Sequence, residues 1–231
     1  MEHKHINKIK SLEGPAKKVN IFSDKEIKMI QDLYVALPER KFNKKQNVRK
    51  KAWEQNYNKE LDMIYFDKLK NILGDFKMDT LKSPSGKDHY GLFHESFAPL
   101  PIHVDSGFNE EDIIYKQVIT PLAPVGDTIF FKKRWYGRST TFTNDPEELK
   151  FIPKEGQNDR SNVHLGDKEF DKELHQKYLS HININNLKGM EIEFIYEWKL
   201  GETLIVDRTH IHCSSSRIKH KKLGLTTFTK K

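Results

Sequence analysis

Six runs rich in β-branched and aromatic residues follow one another from residue 89 to the last residues of the chain. Proline, glycine and polar residues separate them, which is typical of short strands joined by turns. Several short strands of this kind indicate a sandwich or a barrel. The runs are 89–97, 113–122, 127–137, 192–198, 202–207 and 222–230.

Helical patterns occupy the first eighty residues instead. Ser23 followed by Glu26 is a capping-box pattern, and the apolar residues behind it recur at helical spacing as far as Pro38, which ends the helix. A second apolar stripe runs through 58–73 and stops at Gly74. Helices first and strands later predict an α+β, mainly β fold with the helices packed on one side.

A polar stretch at about 144–190 interrupts the strands and holds one helical pattern, 170–182. Segments inserted between strands commonly provide lids and substrate contacts, so we expect this insert to do so. We predict a single domain, 1–231, with helical support at 1–80 and a β core at 89–231.

Composition narrows the functional classes. The one cysteine, Cys213, excludes an internal disulfide and a cysteine-based zinc cluster, and it fits a reducing compartment. The sequence shows no signal peptide and no apolar run of membrane-span length, so we predict a cytoplasmic protein.

The net charge of +7 allows nucleic-acid binding. The densest basic run, 41–51, has no periodic aromatic residues for base stacking, which favours a solvated lysine-rich surface.

The stretch PIHVDSGF places His103 and Asp105 two residues apart at the end of an apolar segment. Side chains two apart on a strand project from the same face, so these two would lie close together. A motif this short also arises by chance, and it needs a third ligand. Either His210 or His212, near the C-terminus, would complete a facial triad of two histidines and one carboxylate, the arrangement of non-haem Fe(II) oxygenases.

Lys222 opens the last predicted strand, ten residues after His212. On that strand Lys222 and Thr226 share one face, whereas Leu223 and Leu225 take the other. A lysine that enters a β core needs an anionic partner, because an unpaired buried charge is costly. A dicarboxylate cosubstrate would be such a partner.

Together these stretches resemble the Fe(II)/2-oxoglutarate-dependent oxygenases. The order is His-x-Asp, then about a hundred residues, then GETLIVDRTHIHCSSS and KLGLT. The sequence is most similar to the small prolyl-hydroxylase- and phytanoyl-hydroxylase-like members of marine bacteria and their phages, which YKQVITPL and TIFFKKRWYG also resemble. The resemblance covers roughly 89–231. It implies a double-stranded β-helix, a jelly-roll or cupin-like barrel, with flanking N-terminal helices.

The resemblance also implies site residues. His103, Asp105 and His212 would bind Fe(II), with His212 preferred over His210 because it directly precedes the Cys-Ser pair. Lys222 would bind the far carboxylate of 2-oxoglutarate.

Further residues are assigned around that core. Arg217 and Lys221 are rivals of Lys222. Further contacts with the cosubstrate are expected from Thr226, Tyr115 and Gln117. Arg134 is predicted to contact the substrate, and no separate acid or base is assigned.

The implied function is a dioxygenase that uses Fe(II), 2-oxoglutarate and O2. It would hydroxylate a peptidyl residue, an amino acid or a small metabolite, with release of succinate and CO2. One alternative is oxidative demethylation of nucleic acid, although the arginine-rich pattern of such demethylases after the distal histidine is not matched. The other is a cupin-like binding module without turnover.

Overall fold

The computed structural model describes residues 2–39, 41–43, 47–79, 89–154, 156–218 and 221–231. The described residues form a mainly β protein with two sheets. Across the same residues, no helix is both long and apolar enough to cross a bilayer.

Fourteen strands are found in the described part of the chain, and each of the six predicted runs contains one of them. In chain order they are β1 (Lys17–Val19), β2 (Lys41–Asn43), β3 (Val48–Glu54), β4 (Lys77–Met78), β5 (His89–Ser96), β6 (His103–Val104), β7 (Ile114–Pro121), β8 (Asp127–Arg134), β9 (Thr140–Phe142), β10 (Asp159–Ser161), β11 (Ile192–Glu197), β12 (Thr203–Asp207), β13 (His210–Ser214) and β14 (Lys222–Lys230).

The larger sheet has the strand order β1-β12-β7-β14-β5-β3-β2, with β4 paired to β14, and its pairings are antiparallel. The smaller sheet has the order β10-β9-β6-β13-β8-β11, and only β10 runs parallel to its neighbour. These two sheets confirm the mainly β prediction. A double-stranded β-helix also requires that the two sheets close on each other in a particular way, and that part stays a prediction.

Two long helices cover the outer face of the larger sheet. α2 (Asp24–Ala36) begins at the predicted capping box, in which the Ser23 side chain accepts from the Glu26 backbone and the Glu26 side chain accepts from the Ser23 backbone. α3 (Lys59–Leu73) begins at Asn58 and ends at Gly74, whose φ of +68° suits glycine. A shorter helix, α1 (Ile6–Ser11), precedes them.

The core on this side joins the helices to the sheet. Tyr65 on α3 and Trp53 on β3 pack with their rings 4.8 Å apart, and Phe93 on β5 lies beneath Trp53. All three side chains are fully buried. The prediction of a wholly helical N-terminal segment is therefore wrong in part, because β3 pairs along its length with β5 and belongs to the larger sheet.

The insert packs on the outer face of the smaller sheet. It contains α4 (Pro146–Leu149), a helical turn α5 (Lys172–Leu174) that continues as a π-helix (His175–Leu179), and a 3₁₀ turn (Ile184–Leu187). Leu179 and Leu187 are buried in one cluster with Ile129 and Phe131 of β8. Only Gly156 and Asn158, among the described insert residues, line the cavity between the sheets. Most of the insert therefore supports the sheet. Among its described residues, Gly156 and Asn158 are the ones placed to contact a substrate in the cavity.

Candidate metal and cosubstrate site

Three candidate metal ligands meet on β6 and β13, the two middle strands of the smaller sheet, and just beyond β6. His103 lies in β6, and Asp105 follows that strand after one residue. His212 on β13 pairs directly with His103 across the sheet, and their rings lie 4.3 Å apart. Asp105 Oδ2 lies 3.8 Å from His103 Nε2 and 3.6 Å from His212 Nε2. One donor atom from each residue falls within 4.8 Å of the other two.

Backbone carbonyls orient both imidazoles. His103 Nδ1 lies 2.8 Å from the Pro101 carbonyl, and His212 Nδ1 lies 3.0 Å from the His210 carbonyl. A carbonyl oxygen only accepts, so each Nδ1 carries a proton, and in the neutral form of either ring the lone pair is then on Nε2. Both lone pairs are therefore available beside Asp105, as metal binding requires.

The protonation states also suit a metal. Burial, together with the neighbouring His212, lowers the pKa of His103 to about 4. Burial alone would raise the pKa of Asp105, but His212 and His103 outweigh it and hold this pKa below its usual range. At neutral pH His103 is thus neutral and Asp105 is ionised, which are the forms that bind metal ions.

This donor set fits Fe(II). Two nitrogen atoms and one carboxylate oxygen form the facial triad of non-haem iron oxygenases. Cis ligands at about 2.1 Å from a metal lie roughly 3 Å apart, so the oxygen–nitrogen distances need to shorten by less than about 1 Å. No cysteine belongs to the cluster, which argues against a structural zinc site.

Two residues hold Asp105 in place. Gln117 on β7 donates through Nε2 to Asp105 Oδ2 at 3.1 Å. Arg208, whose side chain is fully buried, donates through Nε to the Asp105 carbonyl at 3.0 Å and pairs with Asp79 at 2.7 Å. Asp207, the residue before Arg208, pairs with Lys116.

Between the two sheets lies a cavity of about 290 Å³ that the metal ligands line. Lys222 lies at a buried position in its wall, and its Nζ donates to the Asp127 carbonyl at 3.0 Å and to Thr128 Oγ1 at 3.1 Å. An ammonium group has three N–H donors, so one is left for a ligand. Burial lowers the pKa of Lys222 to about 7, although the Asp127 carboxylate works in the opposite direction.

Trp198 covers the ammonium group. The centre of its ring is 3.9 Å from Lys222 Nζ, and its Nε1 donates to Thr128 Oγ1 at 3.0 Å. A side chain at Gly224 would put its Cβ 2.5 Å from the Trp198 ring, so glycine is needed for this approach. Sequence reasoning missed Trp198, although a glycine inside the last strand was the available signal for a close neighbour.

The remaining cosubstrate candidates divide into two groups. Thr226 and Gln117 line the cavity, and their contact with a cosubstrate stays a prediction. Tyr115 does not: its hydroxyl donates to the Leu73 carbonyl at 3.3 Å, on the helical side of the sheet. The pairing of β14 with β7 shifts by one residue between Gln117 and Ile114, and this bulge reverses the face that Tyr115 would otherwise share with Gln117.

The rivals of Lys222 lie outside the cavity. Arg217 is half-exposed and lies 3.8 Å from Asp127, and Lys221 is exposed and pairs with Glu95 at 3.1 Å. Neither lines the cavity among the described residues. Arg134, the predicted substrate contact, is not among the described residues that line the cavity either, and its guanidinium is held by Glu193 at 2.9 Å and by backbone carbonyls of its own strand.

Two further cavity residues carried no sequence signal. Lys50 on β3 and His94 on β5 both line the cavity, and they are direct partners across the two strands. Lys50 lies in the basic run 41–51, whose composition favours a solvated surface. The pairing of β3 with β5 in the larger sheet is what places Lys50 at the cavity.

Solved structures share this architecture. An oxidoreductase of the 2OG-Fe(II) oxygenase family from Burkholderia pseudomallei matches with a TM-score of 0.50 at 10% identity, over 100% of this chain and 93% of that one. HygX from Streptomyces hygroscopicus, solved with nickel, 2-oxoglutarate and hygromycin B bound, matches with a TM-score of 0.51 at 10% identity, over 98% and 86%. The carbocyclase SnoK from nogalamycin biosynthesis matches with a TM-score of 0.52 at 9% identity, over 98% and 83%. The chain has the fold of the 2OG-Fe(II) oxygenases.

At this level of identity the 2OG-Fe(II) oxygenase match concerns the fold, and it confirms the sequence resemblance to that extent. No protein-family model and no curated protein sequence matches the chain.

Proposed function

We propose that this protein is an Fe(II)- and 2-oxoglutarate-dependent dioxygenase that hydroxylates a peptidyl residue, an amino acid or a small metabolite. The observation that carries the proposal is the presence of both halves of such a site in one cavity. The metal donors are His103, Asp105 and His212, and the buried cation is Lys222. A fold shared with 2OG-Fe(II) oxygenases supports it.

The candidate metal-binding residues would be held in position before the metal binds. His103 and His212 would bind Fe(II) through Nε2, while the carbonyl bonds at Nδ1 keep both rings in that orientation. Asp105 would bring the compensating negative charge, held by Gln117 from the cavity side and by Arg208 from behind. Bound Fe(II) and 2-oxoglutarate would supply the activation of dioxygen, with succinate and CO2 released.

Lys222 would bind the far carboxylate of 2-oxoglutarate. Two of its N–H groups already have protein acceptors, so the third would donate to that carboxylate, and Thr226, on the same face of β14, would add a hydroxyl. Burial strengthens an ammonium–carboxylate contact because water competes poorly there. The surrounding side chains, Trp198 above all, would keep water from the pair.

An anaerobic titration with Fe(II) and 2-oxoglutarate tests the proposal. We expect a visible charge-transfer band that requires both components. Asp105→Ala should abolish it. Lys222→Met should weaken the binding of 2-oxoglutarate at least tenfold, whereas Lys221→Met, a change at the exposed neighbouring lysine, should leave it within twofold.

A folded protein that gives no band would contradict the proposal and favour the cupin-like binding module. A band that Asp105→Ala leaves intact would move the metal away from the triad. Equal effects of Lys222→Met and Lys221→Met would contradict the assigned anchor.

A further inference from the structure

The wall of the cavity on the smaller sheet has a defined order of side chains. His212 on β13 is the direct partner of His103 on β6, and His103 is the direct partner of Thr141 on β9. Directly paired residues project from the same face of a sheet, and these three all line the cavity. Thr141 therefore lies one strand away from His103, on the side opposite to His212.

Lys222 lies on the other side of the two histidines. Its Nζ donates to the Asp127 carbonyl and to Thr128 Oγ1, and both of these residues belong to β8, which pairs with β13. The order β8-β13-β6-β9 thus puts the proposed carboxylate anchor and Thr141 on opposite sides of the metal ligands. Neighbouring strands are about 4.8 Å apart, so a group bound at Thr141 would lie next to the metal ligands and leave the place of 2-oxoglutarate free.

Asn158 continues this surface beyond β9. In the parallel ladder of β9 and β10, Thr140 pairs with Asp159, so the residues before them, Ser139 and Asn158, lie side by side. Ser139 and Asn158 both line the cavity, as Thr141 does. Together Ser139, Thr141 and Asn158 form a polar wall on one side of the metal ligands.

Two residues of the polar wall have side-chain groups available to a ligand. Ser139 Oγ already accepts from the Gly107 backbone at 2.8 Å. Thr141 and Asn158 accept through their backbone carbonyls, whereas no hydrogen bond of the Thr141 hydroxyl or the Asn158 carboxamide is found within the described part of the chain. A hydroxyl and a carboxamide can each donate and accept. Thr141 and Asn158 can therefore bind a group that does both.

The charged groups of the cavity lie away from the polar wall. Apart from the metal ligands, the acidic or basic residues among the described cavity residues are all on the larger sheet, namely Lys50, His94 and Lys222. Arg160 on β10 is not among the described lining residues, and its guanidinium lies over the Phe151 ring, 4.6 Å from the ring centre. An ionised group at the polar wall would lose hydration without an opposite charge there, whereas an uncharged amide or hydroxyl would regain its hydrogen bonds.

We infer that the substrate of the proposed dioxygenase presents an uncharged amide or hydroxyl to Thr141 and Asn158, on the side of the metal ligands away from Lys222. The two sources of this chemistry are a peptide backbone and a hydroxylated metabolite. A free amino acid fits less well, because both of its α-groups are ionised at neutral pH. This inference rests on the proposed function, and it adds the chemistry and the place of the substrate.

Three small probes of similar size can test the inference before the natural substrate is known. Protein loaded anaerobically with Fe(II) and 2-oxoglutarate would be titrated, at constant ionic strength, with acetamide, propan-2-ol and acetate. Acetamide represents a peptide group, propan-2-ol represents a hydroxylated metabolite, and acetate is the charged counterpart of both. A probe beside the metal shifts the charge-transfer band, whereas a probe that displaces 2-oxoglutarate reduces it.

We expect acetamide or propan-2-ol to shift the band at a concentration at least fivefold below that of acetate. Thr141→Val and Asn158→Leu should each raise that concentration about fivefold, as the loss of one neutral hydrogen bond implies. Both variants should bind 2-oxoglutarate within threefold of the unmodified protein. Thr140→Val and Asn162→Leu are the matched controls and should change nothing, because Thr140 is on the opposite face of β9 and Asn162 is exposed beyond β10.

Three results would overturn the inference and leave the proposed function intact. The first is a band that neither uncharged probe shifts, or that acetate shifts at an equal or lower concentration. The second is a shift that persists unchanged in both Thr141→Val and Asn158→Leu. The third is a loss of 2-oxoglutarate in either variant as strong as in Lys222→Met, since that residue would then belong to the cosubstrate site. If no band forms in any variant, the proposed function fails, and the substrate inference fails with it.

Discussion

The ammonium nitrogen of Lys222 lies 3.9 Å from the centre of the Trp198 ring, within a wall that also holds its two oxygen partners. A cation over an aromatic face in a desolvated site gains about 2 kcal/mol. The contact therefore offsets part of the cost of burying Lys222 in its charged form, the form that binds a carboxylate.

Replacing the ring should weaken cosubstrate binding. We expect Trp198→Leu to raise the Kd of 2-oxoglutarate roughly 10- to 30-fold, as the loss of about 2 kcal/mol implies. Trp198→Phe keeps an aromatic face and loses the hydrogen bond to Thr128, so its effect should be smaller. Titration of the charge-transfer band measures both values, and an unchanged Kd in Trp198→Leu would show that the ring is only packing.

Cosubstrate binding should also depend on pH through Lys222. Its pKa is lowered to about 7 from 10.5, so the free protein loses this proton as the pH rises through about 7. Binding then requires proton uptake, and the Kd of 2-oxoglutarate should rise by roughly tenfold per pH unit between about pH 7.5 and 9.5. Lys222→Arg stays protonated across this range and should give a nearly flat profile. Parallel profiles for the two proteins would refute this account.

Arg208 should matter to both stability and metal affinity. Its buried guanidinium bonds the Asp105 carbonyl, the Thr229 carbonyl and the Asp79 carboxylate. We expect Arg208→Met to lower the free energy of unfolding by about 3–5 kcal/mol, because it leaves Asp79 without its guanidinium partner. Fe(II) affinity should fall roughly 10- to 100-fold. Urea unfolding and metal titration would measure these effects, with the half-exposed Arg217→Met expected to change stability by no more than about 0.5 kcal/mol.

A buried carboxylate on α3 should stabilise the fold independently of the site. Asp62 accepts from Trp53 Nε1 and from the Asn56 backbone, both at 2.7 Å. Asp62→Ala leaves these donors unpaired and should lower the free energy of unfolding by about 3 kcal/mol, at about 1–3 kcal/mol for each buried donor. Asp67→Ala, on the exposed side of the same helix, should have little effect. The Kd of 2-oxoglutarate should not change in either protein, and a change would link α3 to the cavity.

Strands buried on both faces were the part of the fold that the sequence predicted well. Helices or the insert cover one face of these strands, and the cavity or the core lies on the other. Their sequences are therefore nearly continuous runs of β-branched and aromatic residues, as in β5, β8, β12 and β14. β3 was missed for the opposite reason. Its residues Val48–Glu54 include three charged side chains in a row, and such a pattern resembles a solvated loop until the cavity position of Lys50 is known.

The cluster of three candidate metal ligands was predictable because two of them share a short motif, and the third lies in a stretch that resembles a known family. Tyr115 could not be placed, because a single extra residue in β7 decides its face and leaves no mark in the sequence. Lys50, His94 and Trp198 come from three different strands or strand ends, and only their pairing across the sheets brings them to one cavity. Contacts of this kind depend on topology rather than on local pattern.

The direct pairing of His103 with His212 has a consequence for how the chain folds. The two nitrogen donors are separated by nearly half of the sequence, and they meet only when β13 has paired with the two-residue strand β6. A bound metal ion would therefore act as a cross-link that closes a long loop, and it would recognise only chains in which that loop is closed. Free metal would raise the unfolding temperature by mass action, and a chelator would remove this gain.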